Sequence, residues 1–133
     1  MAATHFTGPV YSAGGFIAGT NSGPTAGVYD LIGAQTGITA GTTQTQAGAT
    51  AVTGPIVNVS TNANAGDGIR LPAAIAGRVI YVANPTANAV QVYGAGTDTI
   101  NAVATATGVS QATLKHAVYF CAVTGNWSRV LSA

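Results

Sequence analysis

The sequence predicts an all-β chain: a small antiparallel β-sandwich or barrel, jelly-roll-like, preceded by an extended, loop-rich N-terminal arm. Two observations carry the β domain. From residue 50 onward, short runs rich in Val, Ile and Tyr alternate with turns made of Gly, Pro, Asn and Asp. Within those runs the apolar residues recur at every second position, the period of a strand with one buried face. A third observation predicts the arm: residues 1–49 are rich in Gly, Thr, Ala and Asn and poor in large apolar side chains. The chain thus divides into an arm at 1–49 and an antiparallel β domain at 50–133, and 133 residues make one ordinary domain.

In the arm, Gly8-Pro9, Gly14-Gly15 and Gly23-Pro24 are turn punctuation. Its strand candidate is residues 26–32 (A-G-V-Y-D-L-I), and residues 33–49 read as a polar connector. That composition cannot bury enough apolar area to offset its ordering entropy alone, so order would come from another subunit. Phe6, Tyr11 and Phe16 are the candidate partner contacts, three aromatic anchors in a polar stretch.

Residues 52–60 alternate, with Val57 and Val59 on one face and Asn58 and Ser60 on the other. Pro55 lacks an amide hydrogen, so this run is an edge strand or begins after the proline. Residues 62–68 (N-A-N-A-G-D-G) are a turn cluster, and 68–71 form a short strand stopped by Pro72. In residues 78–84, Val79, Tyr81 and Ala83 share one face while Ile80 and Val82 share the other. Residues 84–88 (N-P-T-A-N) read as a hairpin connection to 89–93, where Val90 and Val92 share a face. A turn at 94–98 leads to a short segment at 99–103, and polar residues 104–111 precede an ambiguous stretch at 112–116. The run 117–123 (A-V-Y-F-C-A-V) reads as a strand buried on both faces, and Thr124-Gly125-Asn126 turns it back into residues 127–131.

Charge bounds the function. Only Asp30, Asp67, Arg70, Arg78, Asp98, Lys115 and Arg129 are charged, 5% of the chain against roughly 25% in a typical soluble domain. With a net charge of +1, such a surface repels its own copies weakly, which predicts association, a homo-oligomer. Four scattered cations do not make the basic stripe that nucleic acid requires. No run of about 18 apolar residues suggests a membrane span, and no secretory signal pattern is visible. Single Cys121 lies in an apolar run and reads as a buried small hydrophobe, consistent with synthesis in a reducing cytoplasm.

No catalytic residue, metal ligand or cofactor site is expected. His116 and Cys121 are five apart and fall on opposite faces of a straight strand, while His5 has no acidic neighbour in sequence. Asp67 precedes Gly68 and Asp98 follows Gly96-Thr97, as turn residues do, and a chain without glutamate lacks the bidentate ligand of a calcium loop. Glycoside hydrolysis needs paired carboxylates, which disfavours a wall-degrading enzyme.

From Asp67 onward the sequence resembles small virion proteins of tailed bacteriophages, the head-decoration or cement proteins and related structural proteins. The residues that carry this are D-G-I-R-L-P-A-A-I-A-G-R-V-I-Y-V-A-N, then A-V-Q-V-Y-G-A-G-T-D-T-I-N, then A-V-Y-F-C-A-V-T-G-N-W. The resemblance implies a protein that binds the outside of a phage capsid and bridges major capsid subunits. It also implies a homo-oligomer, a trimer, made in the bacterial host cytoplasm and located on the virion. The alternatives are a tail or fibre-associated protein that contacts a receptor, and a small carbohydrate- or ligand-binding β-module.

Overall fold

A computed structural model describes residues 33–133, and they form strands, turns and loops without a helix. The chain is all-β there. Its strands are β1 (Ala34–Thr39), β2 (Thr50–Ala51), β3 (Ile56–Thr61), β4 (Gly68–Arg70), β5 (Val79–Asn84), β6 (Val90–Tyr93), β7 (Thr99–Ile100), β8 (Val109–Gln111), β9 (Lys115–Val123) and β10 (Asn126–Leu131). One sheet has the order β1-β3-β5-β9-β10-β7 and the other β2-β4-β6-β8. From β1 to β8 the chain changes sheet at every step, so each coil lays one strand in each sheet.

That path corrects the antiparallel sandwich or barrel. β1, β3 and β5 pair parallel, as do β2, β4 and β6. Successive coils therefore stack in the manner of a solenoid. Parallel neighbours need a long crossover, and here the strand of the opposite sheet provides it. The expected hairpin at 84–88 is a corner between sheets: β5 and β6 do not pair with each other. Alternation fixes which side chains point inward, but not which strand lies alongside. Toward the end the chain reverses in both sheets: β8 pairs antiparallel with β6, β9 with β5 and β10 with β9.

The inward positions fall as the alternation predicts. Val57, Val59, Ile80, Val82, Val90 and Val92 are buried in one cluster with Ile69, Leu71, Ile100, Tyr119 and Trp127. Stacking repeats them from coil to coil, with Val57 beside Val82 and Ile69 beside Val92. The run 117–123 is corrected: Ala117, Tyr119 and Cys121 are buried, while Phe120 faces out and is 37% exposed. The β9–β10 turn forms as expected, with Gly125 at a φ of 89° that other residues rarely adopt.

Residues 33–49, expected as a connector, are built into both sheets' stacking. β1 pairs with β3, Ala40 N–H donates to Thr61 O at 2.8 Å, and Gly41 and Gly68 exchange two backbone bonds of 2.8 Å. Ala40 and Ala49 are buried. A Cβ at Gly41 would stand 2.0 Å from the Gly48 carbonyl oxygen, so small residues are what let the backbones meet here. The composition lacks large apolar groups because this contact is made by main chain.

Polar side chains close one corner. Asn84, fully buried, donates through Nδ2 to the carbonyls of Asn88 (3.0 Å), Gln111 (3.3 Å) and Ala112 (3.1 Å), and its Oδ1 accepts from Thr86 Oγ1 at 2.7 Å. Asn62 and Asn88 exchange side-chain-to-carbonyl bonds of 3.0 and 2.9 Å, linking one coil to the next. Gln111 donates to Val82 O and Lys115 O, both at 3.0 Å, and accepts from the Tyr119 hydroxyl at 3.1 Å. Replacing Asn84 by Ala takes this donor from the Gln111 and Ala112 carbonyls, while Asn88 O keeps the Asn62 amide. Asn84→Ala is therefore expected to cost about 1–3 kcal/mol, read from the denaturant midpoint at unchanged slope.

Burial pushes the Tyr119 hydroxyl up to about 12, against the opposing pull of the Arg129 charge. The folded chain thus holds this proton where the unfolded chain, near 10, has lost it. The contribution is complete below pH 10 and fades as pH rises from 10 through 12. Stability is expected to fall by about 2–3 kcal/mol across that window, as measured by denaturation at stepped pH. Tyr119→Phe should remove most of that slope; an unchanged slope would contradict the assignment.

Candidate interaction surface

The outward side of the larger sheet follows from its register. Ala34 lies beside Ile56, Ile56 beside Tyr81, Tyr81 beside Val118, and Val118 beside Val130. These side chains form a row running across β1, β3, β5, β9 and β10. A second row places Val79 beside Phe120 and Phe120 beside Ser128. Ile56 is 42% exposed, Tyr81 45% and Val130 60%. β-Branched and aromatic residues occupy both faces of these strands, so the outer face is apolar too, where an ordinary half-buried strand would carry polar groups.

An open groove of about 390 Å³ runs over this face, lined chiefly by Ile56, Tyr81, His116, Val118, Val130 and Leu131. Other outward positions on these strands are Asn58, Ser60, Ala83, Ala122 and Ser128, with no Lys, Arg, Asp or Glu among them. The three arginines are engaged elsewhere. Arg129 donates to Ser110 O at 2.7 Å, Arg78 to Ala73 O at 2.6 Å and Arg70 to Gln46 O at 3.4 Å.

The residues weighed for chemistry do not converge. His116 is exposed on the outer face, whereas Cys121 is buried inside with its Sγ 3.1 Å from Val123 O. Asp67 is fully buried and accepts from Asn64 N–H at 3.0 Å, holding its own turn. Asp98 accepts from Ala74 N–H at 2.7 Å and ties down the loop before β5. Among the described residues no three His, Cys, Asp or Glu side chains are grouped to hold a metal ion. Trp127, the one tryptophan, is fully buried and gives the groove no stacking platform. Phe6, Tyr11 and Phe16, the aromatic contacts expected from sequence, lie outside the described residues, as do His5 and Asp30.

No family model matches this chain, and no curated protein matches it. What it does must be read from its own surface. The sequence had placed Val79 and Tyr81 on one face, but their alignment with Ile56, Phe120 and Val130 depends on strand partners that alternation does not specify.

The two faces of β5 make a test. Tyr81→Lys, pointing out, is expected to change stability by no more than about 0.5 kcal/mol, as surface substitutions do. Ile80→Ala, one residue earlier and pointing in, should cost about 2–5 kcal/mol. Equal losses in chemical denaturation would mean that the outer face is covered within the folded chain.

Proposed function

We propose that the protein is a non-enzymatic structural protein that works by packing against neighbours, and that its setting is the outside of a bacteriophage capsid. The observation that carries the packing role is the outward row of apolar side chains on the larger sheet, uncharged and open to solvent. Contiguous exposed apolar area of this kind marks contact sites. The phage setting rests on the resemblance of the stretch from Asp67 onward to decoration proteins.

In this reading copies bind the assembled shell and bridge major capsid subunits, with Phe6, Tyr11 and Phe16 as anchors for that contact. Because the protein binds the assembled shell in preference to free subunits, it stabilises the shell by mass action, by RT ln(1 + [L]/Kd) per site. No bond is made or broken. The groove fits a sugar-binding module poorly: a carbohydrate site needs convergent polar groups beside its aromatics, and here His116 and Ser132 are the polar residues that line it with Tyr81, the rest being aliphatic.

The test is thermal. Shells carrying the protein should melt several degrees above shells stripped of it, and re-addition should restore the difference. Equal melting temperatures at saturating protein would overturn the cement role.

A further inference from the structure

We propose that the corner between β3 and β4 binds one hard cation, Ca²⁺, through the side-chain oxygens of Asn62 and Asp67. The proposal does not depend on the capsid reading and gives this corner a ligand of its own.

The first observation is a charge without a counter-charge. Asp67 is fully buried. Its Oδ2 accepts from the Asn64 backbone N–H at 3.0 Å and from the Asn64 side-chain amide at 3.4 Å. Its Oδ1 is buried with no hydrogen-bond partner. Among the described residues no Lys or Arg donates to it; the arginines reach the carbonyls of Gln46, Ala73 and Ser110 instead. A buried carboxylate is ordinarily paired with a cation or bound to a metal ion.

The second is an amide oxygen in the same condition. Asn62 is 7% exposed, and its Oδ1 is likewise buried and unpartnered. The amide cannot be turned over to cure this. Its Nδ2 donates to Asn88 O at 3.0 Å, and a flip would set oxygen against oxygen. Two acceptors cannot satisfy each other, so both oxygens call for a positive group.

The third is placement. Asn62 and Asp67 are the two ends of one corner, residues 62–67. The Asn64 N–H grips the carboxylate, and two residues span at most about 7 Å, so Asn62 starts close to that grip. Asp67 N–H donates to Asn64 O at 3.2 Å, and Gly66 N–H to Ala89 O at 3.0 Å. Asn88 Nδ2 adds bonds to Asn62 O and Ala63 O, both at 2.9 Å. The corner is therefore held in shape before any ion arrives.

An all-oxygen donor set selects a hard cation. Ca²⁺ accepts carboxylate, amide and main-chain oxygens in irregular arrangements, whereas Mg²⁺ demands an octahedron and keeps waters that a buried corner excludes. With one carboxylate, the Kd is expected near about 10⁻⁴–10⁻³ M.

The experiment is thermal unfolding of the full chain at constant ionic strength, in EDTA or in about 10 mM Ca²⁺, Mg²⁺ or K⁺, a level well above that Kd. Ca²⁺ should raise Tm by at least about 5 °C over EDTA, with Mg²⁺ and K⁺ far behind. The chain has three carboxylate side chains, Asp30, Asp67 and Asp98. Asp67→Asn, which keeps an oxygen for the Asn64 N–H, should abolish the response, and Asp98→Asn should keep it. An identical Tm in every salt would overturn the proposal. So would a Ca²⁺ response that survives Asp67→Asn, or a K⁺ response equal to that of Ca²⁺, which is screening alone. Calorimetric titration of the wild type with CaCl₂ stands even if Asp67→Asn does not fold. One ion per chain is expected, and the absence of a saturable signal up to about 10 mM contradicts the site.

Discussion

Everything in this molecule depends on backbone pairing between successive passes of the chain. Each short strand from β1 to β6 is held by the strand a whole coil away, as Val57 is held beside Val82 and Ile69 beside Val92. A strand of two or three residues, such as β2 or β4, has no independent stability. It is ordered because its neighbours above or below present carbonyls and amides at the matching height. Inward valines and isoleucines then stack on one another, and the hydrophobic gain is repeated with each coil.

This arrangement explains how so few large side chains suffice. Where two backbones cross closely, at Gly41 and Gly48, main chain fills the space that side chains fill in an ordinary core. Where the path turns between sheets, amide side chains satisfy the carbonyls that strand pairing leaves over. Asn84 and Gln111 do this while fully buried, and their satisfaction is what makes a polar corner compatible with a dry interior.

Much of the fold's local grammar was legible in the sequence. The strands at Val57, Ile80 and Val90, their inward faces, and the glycine turn at Gly125 follow from alternation and turn chemistry. The sheet topology does not, because a period of two says which way a side chain points and nothing about which strand is its neighbour. The same gap hid the outer surface. Ile56, Tyr81, Val118 and Val130 are spread over 75 positions of sequence from first to last, and only the register brings them into line. The segment 33–49 was misread for a different reason: composition measures side-chain burial, and its order comes from main-chain hydrogen bonds.

The reversal of direction at β8 and β9 has one more effect. A parallel stack can in principle lengthen without limit by adding coils, and bare ends invite chains to join into fibrils. Here β9 and β10 run as a hairpin against β5, and beyond them the larger sheet finishes in β7, only two residues long. β7 covers only Asn126 and Trp127 of β10, and Asn101 Oδ1 accepts the Arg129 N–H at 2.9 Å. An incoming strand therefore meets a partly occupied edge whose direction no longer continues the parallel stack.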